Sequence, residues 1–89
     1  MLRINLSAQA MRFLDDLQQT QAGQIVKRID ALAQYPDSVP SEILRGGQGE
    51  RRLKSGEFRV ILEIHDDELA VILIDRRNDD RIYRRFRRR

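Results

Sequence analysis

Between Phe58 and Asp75, two runs rich in Val, Ile and Leu flank a short polar patch, His65 to Glu68. Apolar, β-branched runs on either side of a brief polar break are the sequence form of a β-hairpin. With Asp66 and Asp67 at the turn, Ile64 faces Leu69, Leu62 faces Val71 and Val60 faces Leu73. Side chains alternate along a strand, so Phe58, Val60, Leu62 and Ile64 point to one apolar face, while Arg59, Ile61 and Glu63 point to the other. The preceding segment has the same parity. Leu53 fits the apolar face, Arg52 and Lys54 fit the reverse, and Ser55, Gly56 and Glu57 form the turn into the next strand. This register predicts that Arg52, Lys54 and Arg59 converge on one face of a sheet.

An apolar sheet face needs a cover, and the first part of the chain supplies one. Leu2 to Leu6 reads as a short edge strand. Ser7 is placed to cap a helix in which Ala10, Met11, Leu14 and Leu17 share a stripe. Thr20 is placed to cap a second helix, with Ile25, Ile29 and Leu32 in one line beside Val26 and Ala33, and Pro36 ends it. Residues 37 to 49 read as a loop anchored by Ile43 and Leu44. The expected fold is α+β, an antiparallel sheet of about four strands covered on one face by the Ser7–Tyr35 helical hairpin. Its core is expected to hold Leu14, Leu17, Ile25, Ile29, Leu32, Val60, Leu62, Val71 and Leu73.

The 89 residues form one small domain, and with no cysteine and a single histidine the chain has neither disulfide staples nor a thiolate or multi-histidine metal site. No cofactor is expected. No apolar run reaches membrane-spanning length, and the amino terminus lacks the pattern of a signal peptide, so the chain reads as a soluble protein compatible with a reducing cytoplasm. The net charge of +3 is unevenly placed: residues 76 to 89 carry eight Arg against two Asp, or +6, which leaves −3 for residues 1 to 75. Arginine forks suit phosphate oxygens, which makes nucleic acid the leading partner class, against the plainer reading of a solvated tail. After Asp75 the chain turns polar, and Ile82 and Phe86 share one face of a final short helix or extended segment.

The run LRGGQGERRLKSGEFRVILEIHDDELAVILIDRRNDDRIYRRF resembles the RelE branch of the RelE/ParE toxin family. Members of that branch typically show a Leu-Arg/Lys-Gly loop, a basic strand, a Gly-acidic-aromatic-Arg turn, a hydrophobic hairpin and a late Arg-Tyr element. The resemblance implies a toxin of a type II toxin-antitoxin pair, a ribosome-dependent endoribonuclease that cuts messenger RNA and inhibits translation. It implies a cognate antitoxin as partner, messenger RNA on the ribosome as substrate, no membrane, and a higher-order toxin-antitoxin complex on operator DNA through the antitoxin. Arg52 and Lys54 match the basic strand, Arg59 the arginine after the aromatic residue and Tyr83 the late tyrosine; these are the candidate catalytic residues. Glu50 stands where some relatives carry a lysine, and Asp79 stands at or near the position of an important arginine. Arg76, Arg77 and Arg81 are the candidates to replace that arginine, and together with Arg51 they form the candidate substrate-binding set. The ParE branch shares the fold and poisons DNA gyrase, but its glycine-arginine-histidine entry to the hairpin is absent here. A third reading is a nucleic-acid-binding module that has lost catalysis.

The chemistry that such a site must perform can be stated independently. Attack of a ribose 2′-hydroxyl on the adjacent phosphate requires removal of a proton, stabilisation of negative charge at phosphorus and protonation of the leaving oxygen. Arg52, Lys54 and Arg59 suit the charge stabilisation. Tyr83, set among arginines that favour its phenolate, is the first candidate for proton transfer, and Glu50 is the second. Plainer roles exist for the same residues: a surface ion pair of Arg59 with Glu63, and packing of Tyr83 against the sheet. His65 reads as a turn residue on the helix-side parity, away from Arg59.

Overall fold

The Phe58–Asp75 hairpin forms at the expected turn, and the remaining strands are added on both sides of it. The computed structural model describes residues 1–77. In chain order it contains β1 (Arg3–Leu6), α1 (Ala8–Asp16), α2 (Gln19–Gln34), β2 (Glu42–Ile43), β3 (Arg51–Ser55), β4 (Phe58–His65) and β5 (Glu68–Arg76). The five strands make one sheet in the order β1-β5-β4-β3-β2. The strand count therefore exceeds the expected four, because Glu42 and Ile43 pair with Arg52 and Arg51 at the far edge. The sheet is also mixed rather than wholly antiparallel: β1 runs parallel to β5, Arg3 beside Glu68 through Leu6 beside Val71. That parallel pairing follows from the connection, since the chain leaves β1 through two helices and three strands before it returns.

Both helices lie on one face of the sheet, α1 over β5 and α2 over β3. Ser7 caps α1 as expected, its Oγ accepting from the Ala10 N–H at 3.1 Å. The start of α2 differs from expectation. Its cap is Gln18, with no side-chain hydrogen bond, and Thr20 already lies inside the first turn. Only Leu17 and Gln18 separate the helices, and the Gln18 carbonyl accepts from the Ala22 N–H at 3.0 Å, so the new helix begins before Thr20 is reached. α2 ends at Gln34 and is capped by Tyr35, one residue before Pro36. Ala10, Ile25, Ile29, Leu32 and Ala33 meet Leu53, Phe58, Val60, Leu62, Leu69, Val71 and Ile74 in the main core, with Leu14 and Leu17 packed at its border. Met11 and Val26, expected beside that stripe, are 53% and 41% exposed; Phe13 takes the inward place on α1, meeting Phe58 edge to face at 6.0 Å.

The hairpin register holds from the turn as far as Leu62 opposite Val71, then shifts by one residue. Ile61 pairs with Leu73 and Val60 with Ile74, so Ile72 is the extra residue of a β-bulge. Ile74, fully buried, takes the main-core place expected for Leu73, and Leu73 turns to the opposite face, where it packs with Leu44, Ile61 and Ile72. The bulge lies where β1 stops pairing and α1 begins, and side chains of α1 and its cap replace the missing strand. Ser7 Oγ donates to the Ile72 carbonyl at 2.7 Å. Gln9 presents its amide to Ile74 as a strand would, Nε2 donating to the carbonyl at 2.8 Å and Oε1 accepting from the N–H at 2.9 Å. Gln9→Leu is therefore expected to leave both the N–H and the carbonyl of Ile74, each part-buried, without a partner. The expected loss of stability is about 2 kcal/mol, read by urea denaturation; an unchanged midpoint would show that the amide is not what satisfies this edge.

Candidate functional site

The face of the sheet opposite the helices, which no other described element covers, collects the charged residues. Arg52 and Lys54 alternate with Leu53, which is buried in the main core, and Arg59 alternates with Phe58 and Val60, which are buried there too. Arg52, Lys54 and Arg59 thus share the face opposite the helices, as expected from parity. The strand register brings Lys54 directly opposite Arg59, and Arg59 directly opposite Asp75. A row of three charged residues crosses β3, β4 and β5, with backbones about 10 Å apart from end to end. Beside it runs a second row, Glu42, Arg52, Ile61 and Leu73. Its apolar half is the small cluster with Leu44, so the cations stand around a greasy floor.

Each end of this arrangement carries a carboxylate that the sequence reading did not place there. Asp75 is only 2% exposed, and its Oδ1 accepts from the Arg76 N–H at 2.8 Å. Glu42, on the two-residue strand β2, bridges two cations: Oε2 lies 2.6 Å from Arg52 Nη2 and Oε1 lies 3.2 Å from Lys54 Nζ. Hydrogen bonds from Arg52 and then Lys54, reinforced by their charges, hold the Glu42 carboxyl below the usual glutamate range. A cleft of about 300 Å³ opens here, lined by Arg28, Pro40, Ser41, Glu42, Arg52 and Lys54. Arg28 reaches it from α2, its Nε donating to the Lys54 carbonyl at 3.3 Å. Arg59 lies beyond the cleft, its guanidinium held by the Gly56 and Phe58 carbonyls, both at 2.9 Å.

The other candidates separate from this group. Arg51 has the parity of Leu53 and sits on the helix-covered side, where it lines a second cleft with Leu2, Pro36 and Ile64 and donates to Ser41 Oγ at 3.2 Å. Arg76 follows the main-core residue Ile74 by two positions and lies over the Phe58 ring at 5.3 Å, paired with Glu57 at 3.2 Å. Arg77 is exposed next to the β3–β4 turn, where its backbone N–H donates to the Glu57 carbonyl. Tyr83, Arg81 and Asp79, with the Ile82–Phe86 element, lie outside the described residues. Glu50, the second candidate for proton transfer, is buried at 7% exposure and its carboxylate accepts from the Gln48 N–H. It organises the loop before β3, and a Cβ at Gly47 would require the Glu50 carboxylate to move. His65 pairs with Glu63 at 3.1 Å. Its parity is that of Arg59, contrary to expectation, but six residues of strand place it about 20 Å away along β4.

Residues 4–83 match the family described as ParE toxin of type II toxin-antitoxin system, parDE. Among curated proteins, none matches the sequence closely enough to stand as a relative. Several solved structures share the fold. An Escherichia coli RelE toxin mutant in the free state superposes with a TM-score of 0.75 at 18% identity, over 93% of this chain and 90% of that one. The toxin-antitoxin complex RelBE2 of Mycobacterium tuberculosis gives 0.72 at 20% identity, over 85% of this chain and 98% of that one. A chromosomal ParDE toxin-antitoxin system from Pseudomonas aeruginosa gives 0.70 at 18% identity, over 85% and 96%.

Proposed function

Since the chain belongs to the ParE toxin family, within the RelE/ParE toxins of type II toxin-antitoxin systems, we propose that it is a translation-inhibiting toxin that cleaves messenger RNA on the ribosome. One observation carries this reading. Lys54 and Arg59 face each other across β3 and β4, and like charges directly opposite one another destabilise a strand pair. A fold that sets them there with Arg52 alongside has a surface suited to a phosphodiester.

In the proposed reaction the ribose 2′-oxygen bonds to phosphorus, and the bond from phosphorus to the 5′-oxygen of the next nucleotide breaks. Lys54 and Arg59 stabilise the charge that builds on the non-bridging oxygens, with Arg52 holding the strand beside them. Tyr83 takes the proton from the 2′-hydroxyl or returns one to the leaving 5′-oxygen. Arg77 and Arg81 contact the flanking backbone, whereas Arg51 and Arg76, on the other side of the sheet, are left out of this assignment. The site works in the cytoplasm, where the ribosome is. A cognate antitoxin restrains it, as toxin-antitoxin complexes of this fold suggest.

A ParE-like reading is favoured by the family match and by the Pseudomonas system, and would make the target DNA gyrase. One experiment separates the two. Purified protein is added to ribosomes programmed with messenger RNA, and separately to gyrase with supercoiled DNA. A cut at the decoding site is the expected result; intact message together with trapped gyrase-DNA complexes would establish the alternative.

A further inference from the structure

Among the described residues, Glu42 is the one acidic side chain in a cleft otherwise supplied with Arg28, Arg52 and Lys54. Its two carboxylate oxygens are divided between two cations, Arg52 at 2.6 Å and Lys54 at 3.2 Å. Two non-bridging phosphate oxygens would meet the same pair of donors in the same way. The carboxylate is also poorly anchored. It projects from a strand of two residues, both exposed, at the outer edge of the sheet, and its side chain is 52% exposed. The pair with Lys54, exposed on both sides, contributes little to stability, while Arg52, at 19% exposure, is the firmer of the two partners. Lys54 is equally accessible, at 55%, and the cleft has room for a phosphate group once Glu42 swings out.

We propose that the cleft bounded by Arg28, Arg52 and Lys54 is a phosphate-binding subsite for the substrate backbone, and that Glu42 occupies it as a displaceable internal anion. This rests on the RNA-cleaving reading for its biological ligand, and it adds Arg28 and Glu42, which the family resemblance does not assign. The incoming phosphodiester exchanges with Glu42 rather than entering a bare cationic pocket. The carboxylate thereby lowers the affinity for isolated anions and favours a ligand that makes further contacts along the Lys54–Arg59 row. Specificity of this kind comes from a built-in competitor.

The test uses the whole chain and inorganic phosphate as probe, followed by backbone amide shifts. In the wild type, phosphate is expected to move the signals of Arg52 and Lys54 at high concentration. Glu42→Gln removes the competing charge and keeps the shape, and is expected to tighten phosphate about three- to fivefold, the scale of an exposed ion pair. Arg28→Gln in that background is expected to reverse most of the gain, while Arg12→Gln, on α1, leaves it in place. Glu42→Ala serves as a second variant, and dispersed amide spectra confirm that each one folds. Phosphate affinity in folded Glu42→Gln and Glu42→Ala equal to or below that of the wild type, or shifts confined to other parts of the chain, would overturn the proposal. Tighter phosphate binding by a protein that cuts no RNA would leave the subsite standing and remove the endoribonuclease reading instead.

Discussion

Replacing Lys54 with methionine is expected to lower messenger RNA cleavage in the ribosomal assay by about 100-fold, the usual cost of removing one donor to a developing oxyanion. The change is clean because the Lys54 side chain is 55% exposed and its ion pair with Glu42 lies at the surface. Unfolding by urea should move little. Arg59→Met is expected to lose at least as much cleavage, but with a structural penalty of its own. Arg59 stands across from Asp75, which is 2% exposed, so removing the cation from this register position is expected to destabilise the fold, by up to roughly 3 kcal/mol. The double variant Arg59→Met/Asp75→Asn separates the two effects, since it should recover most of the stability and none of the cleavage. Wild-type cleavage by folded Lys54→Met would remove this row of cations from the reaction.

Much of this arrangement was legible in period and parity. The apolar stripe of α2, the two-residue turn at Asp66 and Asp67, and the shared face of Arg52, Lys54 and Arg59 all follow from the order of side chains alone. Contacts set by residues distant in sequence were not legible. Glu42 lies in a stretch whose Pro, Ser and Gly content reads as loop, and a two-residue strand has too little pattern to show itself. Its role emerges only when β2 is paired with β3. Arg28 looks like any solvated residue on a helix until that helix is laid over the edge of β3. Thr20 is a good cap by type, but a connection of two residues forces the helix to start earlier. The bulge did leave one trace. In an unbroken register Asp75 would lie opposite Phe58, inside the apolar core, while Ile74 would be sent to the charged face. A single carboxylate on the wrong parity at the end of an apolar run signals an extra residue within it.

That bulge makes a prediction about stability that an unbroken hairpin reverses. Ile74 is fully buried among Phe58, Val60 and the helix side chains, whereas Leu73 is 7% exposed in a small cluster with Leu44 and Ile61. Truncating a buried aliphatic side chain costs its transfer free energy plus the penalty of the cavity left behind, and the cavity term depends on how well the surroundings collapse. Ile74 pairs with Val60 on β4, and Gln9 of α1 bonds both its N–H and its carbonyl, so little collapse is available. Ile74→Ala is expected to cost about 4 kcal/mol, a large share of the stability of a domain this small. Around Leu73 the wall is formed partly by Leu44, from a loop, which has more freedom to close the gap. Leu73→Ala is expected to cost about 2 kcal/mol. Thermal unfolding gives the order directly, with the Ile74 variant melting on the order of 10 °C below the Leu73 variant. The reverse order would mean that Val60 pairs with Leu73 after all. Asp75 would then lie on the helix side, and the row from Lys54 through Arg59 would lose its acidic end.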